Sequence, residues 1–297
     1  MDKKFRNYEN ELVNNTYKRM YREQTLEKKL NYKIYPISNK SYNIEQILPL
    51  FDTIIDESDP DTDLPQSIHL LQTYISMKTK FNKDSKISSL FLDDELNRLP
   101  LKIKSLYENN TFSSLYSNIK DWDWLYLVAY MHDLGKIMLL NKFHNLPQHF
   151  VVGDIYPLGT PFEKSNILYD KNYHKQNKEY GKHHYFDLYE PFCGFEKLNF
   201  TISHDYYLYK VLEKTKIPDE GLYLIRFHSF YAFHSPRNNI RGYTYYANDK
   251  DWKMLPLLKL LQKCDLYSKT RNIPDFNDYK NEIIKLIKKY NCYNLIL

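Results

Sequence analysis

The chain predicts an all-α fold, with a minor short-strand or loop region near residues 149–160. Three observations carry this. Apolar residues recur at three- and four-residue spacing in one stretch after another, the period of a buried helix face. Helix-start signals stand ahead of several of these stretches: Ser41 or Asn43, Pro65, and Pro218-Asp219-Glu220. Only 149–160, with its β-branched residues ending in turn formers, reads as a short strand or an extended loop.

Composition bounds the function. At 297 residues, 42% apolar and 16% aromatic, the chain can bury a core as one large domain or two small ones. A net charge of +5 is spread along the chain, not gathered in a basic block, so no nucleic-acid partner is expected. The N-terminus lacks an apolar targeting core, and no apolar run reaches membrane-spanning length. Cys193, Cys264 and Cys292 are odd in number and share no metal-type spacing, which fits reduced thiols. A soluble, cytoplasmic protein with no membrane partner is expected.

In order, residues 9–30 predict one amphipathic helix with Val13, Tyr17, Met20 and Leu26 on its apolar face. Ile44, Ile47, Leu48, Phe51, Ile54 and Ile55 predict a second, better patterned helix. Residues 56–63 form an acidic loop whose Asp59-x-Asp61-x-Asp63 spacing resembles a calcium site. Leu64 stands where that loop needs Gly, and Leu70 where it needs a bidentate Glu, so calcium is rejected. Pro65 opens a helix carrying His69. Residues 80–119, rich in Lys, Asn and Ser, read as an insertion with a helix or two of its own. Trp122 to Val128 leads as a buried helix into His132-Asp133-Leu134-Gly135-Lys136, where Gly135 is expected to supply a turn through positive φ. Residues 161–199 are loop-rich. Three further helices follow, from about Ser203, from Pro218 to His228, and from about Asp251 to Asp265.

The seven glycines form no dinucleotide fingerprint, phosphate loop or nucleophile elbow. What the helices carry instead is His69, His132 with Asp133, His204, His228 and Asp265. A lone histidine among apolar neighbours is usually a hydrogen-bonded core residue. Asp265 is more telling, because a carboxylate on an apolar stripe is costly to bury unless paired or metal-bound. Imidazoles with carboxylates suit iron, zinc or manganese, and a carboxylate can bridge two ions.

Several longer motifs sharpen this. They are Asp56 to His69, His132-Asp-Leu-Gly-Lys136, Val151-Val-Gly-Asp154, Ser203 to Tyr209, Arg226 to Tyr231, Asp265-Leu-Tyr-Ser-Lys269 and Phe5-Arg-Asn-Tyr8. Together the chain resembles the inositol oxygenase family, HD-domain di-iron enzymes, over nearly all its length apart from roughly 80–119. The resemblance implies a single HD-like helical bundle over 1–297, with an N-terminal covering segment of about 1–40 and 80–119 as a family-atypical insertion. It implies two irons, a mixed-valent Fe(II)/Fe(III) pair, with O₂ as co-substrate and myo-inositol cleaved between C1 and C6 to D-glucuronate. His69, His132 and Asp265 would hold one iron and His204 and His228 the other, with Asp133 bridging. Polyol contacts would fall on Arg6, Asp56, Lys136, Gly153, Asp154, Ser229 and Lys269, with Lys136 and Asp133 in catalytic roles. Asp205 and His234 carry no family role; Asp205 reads as a hydrogen-bonding or solvent-facing side chain and His234 as structural, and a monomer is expected.

Ser203 before His204, and Ala232-Phe233 after Tyr231, depart from the family's Gly and Pro-Trp. The alternative readings are a related di-iron oxygenase acting on another polyol or a phosphonate, an HD metal-dependent phosphohydrolase, and a scaffold without catalysis.

Overall fold

Hydrogen bonds to main-chain groups decide where the expected helices begin and end. The computed structural model describes residues 8–33, 40–59, 64–237, 240–266 and 273–297. Arg6, Lys269 and residues 60–63 of the acidic loop lie outside these. The first amphipathic stretch is two helices, α1 (Glu11–Glu23) and α2 (Leu26–Asn31). Gln24 turns extended between them, and its buried amide donates to the carbonyls of His149 and Ile202 while accepting from Ile202 N–H. Thr25 then caps α2 by accepting from Lys28 N–H.

Strand β1 (Ser41–Asn43) leads directly into α3 (Ile44–Phe51). Of the two proposed caps, Asn43 is used, in a reciprocal capping box with Gln46. β1 pairs antiparallel with β2 (Asn294–Ile296), joining Tyr42 to Leu295. That ribbon, absent from the sequence reading, is the one sheet among the described residues. Residues 149–160 take the loop alternative. Gly153 sits at φ +87° and breaks any strand, leaving one isolated bridge between Pro157 and Phe200.

The helix after Pro65 is α4 (Gln66–Lys80). Residues 80–119 carry more helix than expected: α5 (Asp93–Asn97), α6 (Leu101–Asn109) and α7 (Phe112–Leu115). The remaining helices are α8 (Asp123–Met131), α9 (His204–Leu212), α10 (Asp219–Phe227), α11 (Tyr231–His234), α12 (Asp249–Leu266) and α13 (Lys280–Lys289). α4 packs on α8 and α12, and α9 packs on α10 and on the 3₁₀ turn Leu134–Leu139. The fully buried Leu70, Leu71, Tyr74, Leu127, Val128, Leu224, Leu257 and Leu258 fill the space between these elements.

α12 contains a proline, Pro256, which cannot donate to the carbonyl of Trp252 four residues back. Tyr107 of α6 donates its hydroxyl to that carbonyl, and Tyr116, just past α7, donates to the carbonyl of Lys253. Residues 80–119 thus brace the helix that carries Asp265.

Candidate metal centre

Five elements end at or pass through one buried point. His69 lies one turn into α4, and His132 is the C-cap of α8 with Asp133 next in the chain. His204 is the first residue of α9, His228 caps the end of α10, and Asp265 sits near the end of α12. All six are buried. The backbone runs through His132 and Asp133 in right-handed helical conformation. Gly135 is not at positive φ, contrary to expectation. It is needed for close approach, because a Cβ there would lie 2.1 Å from the carbonyl oxygen of His204. The glycine lets the Leu134–Leu139 turn press against the start of α9, which brings His204 within reach of Asp133.

The two oxygens of Asp133 face different partners. Oδ2 lies 3.5 Å from Nε2 of both His69 and His132. Asp265 Oδ1 completes that group, 2.9 Å from His69 Nε2 and 3.8 Å from His132 Nε2. Oδ1 of Asp133 lies 3.2 Å from His204 Nε2 and 3.5 Å from His228 Nε2. The two histidine nitrogens on that side are 3.2 Å apart.

The other face of each ring sets which nitrogen can bind a metal. Nδ1 of His132, His204 and His228 lies 3.0, 2.6 and 2.9 Å from the carbonyls of Ala129, Val151 and Ile225. A carbonyl can only accept, so Nδ1 carries a hydrogen, and in the neutral ring Nε2 holds the lone pair. His132 Nε2 is buried without a hydrogen-bond partner among the described residues. Nitrogens about 2.1 Å from one ion, at angles between right and tetrahedral, stand about 3.0–3.4 Å apart. The His204–His228 separation meets that, and on donor chemistry and orphaned nitrogen alike the residues fit metal ions.

Charge is arranged accordingly. Burial alone would raise the Asp133 carboxyl, but Lys136 and His132 outweigh it and hold the group well below the usual carboxylate range. Burial would lower the Lys136 ammonium, yet Asp133 and Asp56 overcome that and push it upward. Lys136 Nζ lies 2.7 Å from each carboxylate. Burial pushes His132 down to about 4, against Asp133 and Asp265. His228 shows the reverse, since Asp205 and Asp133 overcome its burial and lift it to about 10. An arriving cation must displace that proton.

Asp205, expected to be hydrogen-bonded or solvent-facing, is fully buried and hydrogen-bonded. Its Oδ1 lies 3.0 Å from His228 Nδ1 and accepts from Ser229 N–H. It orients His228 from behind, a role the sequence reading missed although the His-Asp dipeptide at a helix start marked the place. His234, read as structural, is structural. Burial pushes it down to about 3, and the neutral ring donates from Nε2 to the carbonyl of His228.

Of the expected polyol contacts, Asp56, Lys136, Gly153, Asp154 and Ser229 line one small cavity with His69, Asp133, His204, His228 and Asp265, five of the six metal candidates, while Arg6 and Lys269 lie outside the described residues. Ser58 holds Asp56 through N–H and hydroxyl, and Tyr17 donates to Asp154 at 2.9 Å. Tyr231 donates to Asp265 Oδ2 at 3.2 Å.

A helical frame whose ends deliver four histidines and two aspartates to one buried point defines a protein equipped to bind metal. The sequence profile of the myo-inositol oxygenase family matches residues 10–100 and 103–296. An inositol oxygenase of Dictyostelium discoideum is 36% identical over 297 residues, covering 96% of this chain and 87% of its own. Those of Danio rerio and Mus musculus are 34% and 31% identical, each over 96% of this chain and over 90% and 88% of their own. The chain belongs to the myo-inositol oxygenase family. No helix among the described residues is long and apolar enough to cross a membrane.

Proposed function

We propose that this protein is a di-iron oxygenase of the HD type that cleaves the C1–C6 bond of myo-inositol. One O₂ is consumed, and D-glucuronate and water are formed. The single observation that carries the proposal is Asp133, whose two oxygens address two separate sets of buried ligands. In this reading His69, His132 and Asp265 hold one iron, His204 and His228 the other, and Asp133 belongs to both. The iron pair, mixed-valent when active, supplies redox chemistry with O₂ and makes a coordinated substrate hydroxyl more acidic.

The chain's own residues bind and orient the polyol. Asp56 and Asp154 accept from hydroxyls, while the N–H groups near Gly153 and the Ser229 hydroxyl donate. Lys136, kept protonated between Asp56 and Asp133, is a fixed donor beside the reacting hydroxyl. The cavity among these groups measures only about 30 Å³, close to the volume of one water. A cyclohexane ring needs more room, so groups lining the cavity must separate to admit it, exchanging contacts with one another for substrate hydroxyls. Burial of the centre keeps bulk water from the chemistry. Arg6 and Lys269 are assigned to the polyol on the family resemblance alone, and a monomeric, cytoplasmic protein fits the same reading.

The test is O₂ uptake by anaerobically Fe(II)-loaded protein on adding myo-inositol, with glucuronate measured in the same sample. Uptake matched by glucuronate supports the proposal. Bound iron with no uptake would shift the substrate to another polyol or a phosphonate.

A further inference from the structure

A second cavity, of about 730 Å³, lies between residues 89–100, the stretch after α11, and the flank of α12. It shares no lining residue with the metal centre. Its volume lies in the range of small-molecule sites. Its walls combine the nearly buried rings of Phe91 and Trp252 with a surplus of positive charge. The lining holds four cations, Arg98, Arg241, Lys259 and Lys263, against two carboxylates, Asp94 and Glu95.

The pairing within the cavity leaves that surplus uncompensated. Glu95 alone serves two largely buried cations. Its carboxylate lies 2.8 and 2.9 Å from Lys259 Nζ and also pairs with Arg241. Burial pulls both cations below their ordinary values even with Glu95 present. Arg98 has only an exposed contact of 3.4 Å with Asp94, of a kind that contributes little. No carboxylate among the described residues is within ion-pair distance of the exposed Lys263. Cations held at the wall of a half-enclosed cavity, two carboxylates short, attract an anion, and the adjacent rings offer an apolar seat.

We propose that this cavity binds a small organic acid, whose carboxylate or phosphate meets Arg98, Lys263 and the cations around Glu95, and whose apolar body lies against Phe91 and Trp252. This goes beyond the inositol reading, and turnover of inositol is not its readout.

The test is isothermal titration of the full-length, iron-loaded protein with benzoate, with phenyl phosphate, and with neutral benzyl alcohol. One of the two acids should bind at a single site, at least about tenfold more tightly than the alcohol. The tighter acid identifies the head group. An R98Q/K263Q double variant changes only exposed rim residues, and should weaken that acid about tenfold or more. Leu92→Glu, at the exposed mouth, should weaken it by added negative charge. The proposal is overturned if neither acid binds, if the alcohol binds as well, or if the variants bind unchanged because the acid sits on the iron.

Discussion

Asp133 and Lys136 show how much chemistry two side chains can set once they are buried together. Lys136 is hydrogen-bonded to both Asp133 and Asp56, so its charge is fixed and its position is shared between a metal candidate and a second buried carboxylate. Lys136→Ala is expected to keep both irons and lose turnover about a hundredfold or more, since a positioned donor contributes on that scale. Unchanged kcat would remove Lys136 from the reaction. Asp205 acts one step back. Asp205→Asn leaves His228 without its charged partner, and is expected to weaken iron binding about 10- to 100-fold with the fold retained. Circular dichroism beside an iron titration separates these effects, and undiminished affinity would deny the orienting role. His69, His132, His204, His228 and Asp265 were legible in the sequence because their motifs are long. Asp205 was not, because its partner His228 lies on another helix. Gly135 was recognised as special for the wrong reason, since a requirement for close packing leaves the same letter as a requirement for positive φ.

Helices were legible where a face repeats and harder to place where side chains end them. Gln24 breaks the first amphipathic stretch with three hydrogen bonds to distant main chain, and no local pattern announces that. β1 and β2 are three residues each, and their pairing spans almost the whole chain, so neither carries a readable alternation. The segment 80–119 looked poorly patterned because its helices are short, yet Tyr107 fills the gap that Pro256 opens in α12 and Tyr116 donates to the next carbonyl along. Tyr107→Phe leaves the Trp252 carbonyl buried without its donor and should cost about 1–3 kcal/mol. Thermal melting is expected to fall by several degrees with iron content and kcat unchanged. An unaltered midpoint would mean that the brace contributes nothing.

At the scale of the whole molecule, the 29 tyrosines become a stability term. Burial raises the phenols of Tyr21, Tyr116, Tyr156 and Tyr223 well above their ordinary value, and pushes the thiols of Cys264 and Cys292 up to about 11 and about 12. Above their ordinary values the unfolded chain loses these protons while the folded chain keeps them. Their stabilisation is complete at lower pH and is lost as pH rises through the raised values. Lys29, which burial pushes down to about 7, works in the opposite sense, but only up to its ordinary 10.5. Denaturant midpoints should therefore fall between about pH 10.5 and 12. A flat midpoint across that window would contradict the burial of these phenols.

The central claim is that one carboxylate joins two irons. Anaerobic titration of the protein with Fe(II), followed by one-electron oxidation and electron paramagnetic resonance, tests it most directly. Two irons per chain and a half-integer signal from a coupled Fe(II)/Fe(III) pair, lost in Asp133→Ala, are the expected result. A single iron, or two irons whose spectra are independent of each other, would contradict it.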